Sequence, residues 1–210
     1  MSADLGTASS ALLTTPGATK WYRSAGAWAR QQVNFNVNPG ASLEWLPQET
    51  IVFDGARADA RLDVAIKGNG AFIGWEILCL GRTGSAERFT RGEWRARMTI
   101  ERDGKPLWFE RARLAGNEGA LQSAAVLAGQ PVAATMLAAG DHLDPSLLEG
   151  CRGIKPLRGE GGVSLLPGLL VGRYLGASSE AAKFYFIKLW QILRPALIGR
   201  TAVEPRIWRT

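Results

Sequence analysis

Residues 71–80 read Ala-Phe-Ile-Gly-Trp-Glu-Ile-Leu-Cys-Leu, apolar at both odd and even positions. A strand that faces water on one side alternates, so a run like this is a strand covered on both faces. That constrains the whole chain, because something must pack above it and something else below. Its one charge, Glu76, is then buried or lines a cavity. A buried carboxylate is costly unless it is paired, hydrogen-bonded or protonated, so one of these must compensate it.

The segments around this run show period two. Val33, Phe35 and Val37 alternate with Gln32, Asn34 and Asn36 until Asn38-Pro39-Gly40 breaks the pattern. Leu62, Val64 and Ile66 alternate with polar residues up to a Gly68-Asn69-Gly70 turn. Trp94, Ala96, Met98 and Ile100 alternate with Arg95, Arg97, Thr99 and Glu101; Asp103-Gly104 then marks a hairpin, with Leu107 to Leu114 as the return strand. The expectation is an all-β-dominated scaffold over one domain, residues 1–210, with no internal repeat of fixed period. Ala11 to Thr15 reads as a core strand with almost nothing upstream to pair with it.

Helix is expected near the C-terminus. Ser178 and Ser179 suit an N-cap and Glu180 the first turn; Phe184, Ile187, Trp190 and Arg194 recur at helical spacing until Pro195 ends or kinks the helix. A shorter helix is expected over Pro145 to Glu149, capped by Asp144. Ala120 to Leu127 fits either helix or loop, and Glu204 to Trp208 reads as an extended tail.

The net charge of +6 comes mostly from arginines spread from Arg23 to Arg209, with no basic run. That predicts a solvated arginine-rich surface rather than a nucleic-acid site, and an acidic protein partner also suits it. Cys79 and Cys151 make neither a C-x-x-C pair nor a disulfide framework. With no secretory signal in residues 1–10 and no apolar stretch long enough for a bilayer, a cytoplasmic protein without membrane contact is expected.

The inventory of catalytic groups is poor. His142 is the single histidine, between Asp141 and Asp144, so a zinc site of the usual Cys/His type cannot be assembled. There is no Gly-x-Ser-x-Gly elbow, and Gly68, Gly70 and Gly74 miss the dinucleotide spacing by one position. The expectation is not an enzyme; the alternative is a β-scaffold hydrolase using the Asp141-His142-Asp144 cluster.

Two polar clusters remain: the hydroxyl-rich Thr14 to Ser24, and the carboxylates Glu44, Glu49, Asp54, Glu76 and Glu110, most of which the abundant arginines should pair. These segments carry a resemblance. Leu13-Thr14-Thr15-Pro16-Gly17-Ala18-Thr19-Lys20-Trp21-Tyr22-Arg23-Ser24, Leu43 to Ile51 (Leu-Glu-Trp-Leu-Pro-Gln-Glu-Thr-Ile), Gly74-Trp75-Glu76-Ile77-Leu78-Cys79-Leu80-Gly81-Arg82, Leu189-Trp190-Gln191-Ile192-Leu193-Arg194-Pro195 and Pro205-Arg206-Ile207-Trp208 resemble, in order and spacing, the motifs of the urease accessory protein D family (UreD/UreH).

The resemblance implies a scaffold of strands stacked in a helix-like, β-helix-like manner with about two C-terminal helices. It implies a cytoplasmic complex with the helical accessory protein F and the GTPase G on apo-urease. It also implies Ni²⁺ in transit through an internal tunnel, with no tightly bound cofactor. Matched to that family, Glu76, Glu110 and Thr19 are the tunnel-lining residues expected to offer transient nickel contacts. Carboxylates and hydroxyls suit such a role, since they release a transition metal more readily than Cys/His cages do. The chain departs from the family pattern in lacking an N-terminal strand-rich section with a Gly-Gly-Asp motif; its absence is expected to leave an unpaired sheet edge.

Overall fold

The computed structural model describes residues 1–116 and 119–209. Strands β1 (Ser2–Leu5), β4 (Ala29–Val37), β7 (Arg57–Ile66), β9 (Glu93–Arg102) and β10 (Lys105–Ala115) form one sheet, hereafter sheet A, in the order β1-β4-β7-β9-β10. Sheet B has the order β12-β13-β11-β8-β5-β2, built from β12 (Glu160–Leu166), β13 (Leu169–Gly176), β11 (Val132–Ala139), β8 (Ala71–Leu80), β5 (Ser42–Trp45) and β2 (Ser10–Leu13). The short strands β3 (Thr19–Trp21) and β6 (Thr50–Val52) extend it, β6 pairing with both β3 and β8.

The first nine strands wind as a solenoid. Each coil puts a strand in sheet A and then crosses to sheet B, and equivalent strands of successive coils pair in parallel. Register offsets run from 28 residues (Thr50 against Leu78) to 36 (Arg57 against Glu93). A repeat whose length varies by several residues leaves no fixed period in the sequence. This geometry also corrects the reading of an orphaned first strand. Residues 10–13 pair with β5, one coil downstream, and Ser2–Leu5 is itself a strand that pairs with β4 in the other sheet. Among the described residues, β1 and β2 are paired on one side only.

At β9 the winding stops and the chain turns back. Asp103 and Gly104 both have positive φ, 51° and 75°, forming the two-residue hairpin turn that joins β9 to antiparallel β10. Residues 120–127 are irregular, with a 3-10 turn at Gly119–Gln122. Strands β11 to β13 then add antiparallel to β8 and complete sheet B.

Strand β8 is covered on both faces, as its composition requires. Ile73, Trp75, Ile77 and Cys79 pack beneath helix α2 (Ser179–Ile198), against Phe186, Leu189, Trp190 and Leu193. Phe72, Leu78 and Leu80 face the space between the sheets. Helix α2 starts at Ser178, whose side chain accepts from the Ala181 N–H, and stops at Gly199 with φ 69°. Pro195 neither ends nor visibly interrupts the assigned helix: it lies in the last turn on an exposed surface, where loss of one backbone hydrogen bond costs little. Phe184 is not part of the buried stripe; it is 41% exposed, and Tyr185, Phe186, Leu189, Trp190 and Leu193 make the packed face instead. Helix α1 (Pro145–Gly153) is capped by Asp144, which accepts from the Leu147 N–H at 2.8 Å. The C-terminal segment is not an extended tail: Arg206–Arg209 forms a 3-10 turn that seats Trp208 between Trp75 and Trp190, with ring centroids at 5.5 and 5.6 Å.

A polar cavity between the two sheets

The even-numbered positions of β8 point into the space between the sheets, and there Gly74 is followed by Glu76. Across sheet B, Glu76 stands opposite Thr135 on β11, Thr135 opposite Arg173 on β13, and Arg173 opposite Gly162 on β12. This places a carboxylate, a hydroxyl and a guanidinium in one registered row. From sheet A, Glu110 on β10 sits opposite Met98 on the inner face. Arg173 bridges the layers through Nη1, donating to Glu110 Oε1 at 2.8 Å and to Thr135 Oγ1 at 2.6 Å. Its guanidinium also lies 5.4 Å from the centre of the Trp108 ring.

These residues line a cavity of about 740 Å³ that includes Glu76, Glu110, Thr135, Glu160 and Arg173. A smaller cavity of about 50 Å³ lies on the other side of Glu76, lined in part by Thr19, Gln31, Thr50 and Trp75. Glu76 and Met98 border both, so they mark the junction between the two spaces. The sheet itself makes room for the smaller one. Strand β5 pairs with residues 71–74 of β8 and β6 with residues 78–80, leaving residues 75–77 opposite the irregular stretch 46–49. The Pro47 carbonyl in that stretch accepts from the indole N–H of Trp75 at 2.8 Å.

The electrostatics of the three expected residues differ. The Glu76 carboxylate makes no hydrogen bond or ion pair with any described residue, and its residual accessible surface opens onto the cavities. Burial first, and the charge of Glu110 second, push its pKa up from 4.5 to about 7. No arginine compensates this carboxylate among the described residues; the raised pKa favours its neutral form. Glu110, by contrast, is paired with Arg173. Thr19 is half-buried on β3, where its N–H donates to the Glu49 carbonyl at 2.9 Å. Thr19 and Glu76 line the smaller cavity and Glu76 and Glu110 the larger one, although the three lie far apart in sequence.

The other carboxylates of the acidic cluster have structural partners. Glu44, 1% exposed, accepts from the Trp190 indole N–H at 2.6 Å and from Arg194 Nε at 3.0 Å, fastening α2 to β5. Asp54 accepts from the Thr90 and Arg91 backbone N–H groups at 2.8 Å and pairs with the Arg91 guanidinium at 2.7 Å, pinning the loop before β9. The hydroxyl-rich segment is tied down as well. Thr14 Oγ1 donates to the Leu46 carbonyl at 2.6 Å and accepts from the Trp208 indole N–H at 2.9 Å, while Thr15 Oγ1 accepts from the Gln48 N–H at 2.9 Å. All five sequence motifs thus meet around residues 44–48 and 75–76.

Sequence reasoning missed Arg173 and Thr135. The signal was present: Arg173 is the one charge in Leu-Leu-Val-Gly-Arg-Tyr-Leu-Gly, and Thr135 is the one hydroxyl in Val-Ala-Ala-Thr-Met-Leu-Ala-Ala. The rule that singled out Glu76 singles them out too. The Asp141-His142-Asp144 cluster does not assemble a triad. Asp144 is committed to capping α1, Asp141 lies 3.7 Å from Arg102, and His142 is exposed with no partner among the described residues.

Among the described residues no helix is long and apolar enough to cross a membrane. The family model described as "UreD urease accessory protein" matches residues 1–209. Urease accessory protein UreD of Azoarcus sp. is 52% identical over 207 residues, covering 99% of this chain and 73% of that protein. That of Dechloromonas aromatica is 52% identical over 214 residues, covering 100% of this chain and 74% of the relative. For Pseudomonas aeruginosa PAO1 the figures are 47% over 207 residues, 98% and 73%. Matches of this extent mean that the chain belongs to the UreD family of urease accessory proteins, maturation factors rather than enzymes.

Proposed function

We propose that this chain acts in the cytoplasm as a scaffold that docks the accessory proteins F and G on apo-urease, and that Ni²⁺ crosses it through the two cavities that meet at Glu76. The observation that carries the reading is the Glu76 carboxylate, held without a partner among the described residues at the junction of two cavities. A buried carboxylate that only stabilised the fold would be paired, as Glu44 and Asp54 are.

The chemistry suits a cargo ion. Among the described residues no group of three or more His, Cys, Asp or Glu side chains converges as a metal cage. A hydrated Ni²⁺ ion on this path meets Thr19, then Glu76, then Thr135 and Glu110. One or two oxygen ligands at a time attract it without trapping it. Proton occupancy of Glu76 near neutral pH makes the contact still easier to break. The exposed face of α2, which carries Phe184, is the surface we assign to the helical accessory protein.

The test is Glu76→Gln in cells that co-express urease with its accessory proteins. The expected result is reduced nickel-dependent urease activity, with the accessory complex still copurifying with apo-urease. Loss of copurification would make Glu76 a structural residue and remove the main support for the conduit.

A further inference from the structure

The arginines that are dispersed in sequence converge on one surface of the fold. Strand registers across sheet A put Arg30, Asp59, Arg95 and Arg113 in one outward row and Gln32, Arg61, Arg97 and Arg111 in the next. The following row is Asn34, Asp63, Thr99 and Phe109, and Arg57 stands beside Glu93 at the near end. These positions hold seven arginines against three carboxylates, an excess of four positive charges in a chain whose net charge is +6. Solenoid winding causes the convergence, since it stacks every outward position of one coil on the same position of the next.

This wall is organised as well as charged. Arg61, Arg95, Arg97, Arg111 and Arg113 border a groove of about 560 Å³ on the outer face. Arg61 is held by Asp59 at 2.9 Å, Arg97 by Asp63 at 3.0 Å, and Arg95 and Arg113 by Glu93 at 2.6 and 2.9 Å. The guanidinium groups of Arg57 and Arg95 lie 5.1 and 4.1 Å from the centre of the Trp28 ring. Arg111 makes none of the ion pairs among the described residues, and Phe109, two positions along the same face, is 62% exposed. Strand β10, which carries Phe109, Arg111 and Arg113, is the edge of sheet A.

We propose that this arginine wall is the docking surface for an acidic, extended segment of a protein partner, lying along β10. An edge strand offers unpaired backbone groups that a polypeptide satisfies by adding as a further strand. Same-face side chains of such a segment recur at about 6.6–6.8 Å, the spacing of Arg111 and Arg113, so alternate carboxylates meet successive guanidinium groups. Phe109 then receives an apolar side chain at the next position. A protein segment fits better than a nucleic acid because Asp59, Asp63 and Glu93 are interleaved with the arginines. They would repel a run of phosphates, and a nucleic-acid backbone has no N–H groups with which to add to the edge strand as a polypeptide does. The inference does not depend on the proposed nickel path, although Arg111 and Arg113 also border the larger cavity and Arg61 and Arg97 the smaller one.

Fluorescence anisotropy of the full chain tests it with three labelled probes: a ten-residue peptide alternating Glu and Ser, the same peptide with Gln for Glu, and a ten-nucleotide deoxythymidine oligomer. The Glu peptide is expected to bind in a salt-dependent way, the Gln peptide at least tenfold more weakly. Arg111→Glu/Arg113→Glu is expected to weaken the Glu peptide at least tenfold, and the milder Arg111→Gln/Arg113→Gln to weaken it less. Lys188→Glu/Arg200→Glu, an equal change of charge on the helix layer, should leave it unchanged. The proposal is overturned if the Glu peptide does not bind, if the control pair weakens it equally, or if the oligomer binds as tightly as the peptide.

Discussion

Replacing Glu76 with glutamine should make the protein more stable at alkaline pH and no more stable at acid pH. Burial and the neighbouring Glu110 raise the pKa of Glu76 from 4.5 to about 7. A carboxylate whose folded pKa is raised stays protonated in the folded state while the unfolded chain ionises. Wild-type stability therefore falls as pH rises from about 4.5 to about 7, and levels off above that window. A shift of this size corresponds to at most roughly 3.5 kcal/mol. Glutamine does not titrate but must still satisfy its amide, so the expected net gain at pH 8 is about 1–3 kcal/mol. For a chain of 210 residues each kcal/mol moves the melting temperature by roughly 2–4 °C. Urea unfolding of wild type and Glu76→Gln at pH 4.5, 6 and 8 reads the effect directly. Parallel pH profiles for the two proteins, or a variant that is less stable at pH 8, would refute the reasoning. A gain in stability together with lost urease activation would show a carboxylate retained for function against stability.

Glu44→Ala strands the Trp190 indole N–H and leaves the half-buried Arg194 guanidinium with the Thr201 carbonyl, and should cost about 2–3 kcal/mol in urea unfolding. Asp54 has the opposite pH signature to Glu76. Burial favours its neutral form, but hydrogen bonds from the Arg91 side chain and the Thr90 backbone outweigh that and hold its pKa at about 2. Its contribution, about 2 kcal/mol, is therefore full above pH 3.8 and lost as pH falls toward 2, so Asp54→Asn should flatten the acid limb of the stability profile. His142→Ala should leave urease activation unchanged; a large loss in the co-expression assay would revive a chemical role for that loop.

The parts of this fold that were legible in the sequence are those where local pattern and tertiary environment agree. Strand β8 was readable because only a doubly covered strand tolerates apolar residues at both parities, and the same logic made its lone carboxylate conspicuous. The Asp103-Gly104 turn and the caps of α1 and α2 depend on backbone chemistry that neighbouring residues specify. The solenoid was not readable from periodicity, since its coils differ in length and strands as short as β3 carry three residues; only the resemblance pointed to it. Strand β1, Ser-Ala-Asp-Leu, is held mainly by backbone pairing with β4 and carries almost no pattern of its own. The arginine wall was hidden for a related reason: positions 61, 97 and 111 become neighbours only once the coils stack. Of the cavity, Glu76 announced itself, whereas Thr19 and Glu110 came from the resemblance. Arg173 and Thr135 required the cross-strand register.

The most direct test of the conduit is steric. Met98 borders both cavities beside Glu76, so Met98→Trp should plug their junction without touching a charged group. The measurement is the nickel content of urease matured with this variant, read only from preparations in which the assembled complex elutes as wild type does. The account predicts apo-urease with little bound nickel; normal nickel loading through the plugged scaffold would contradict it.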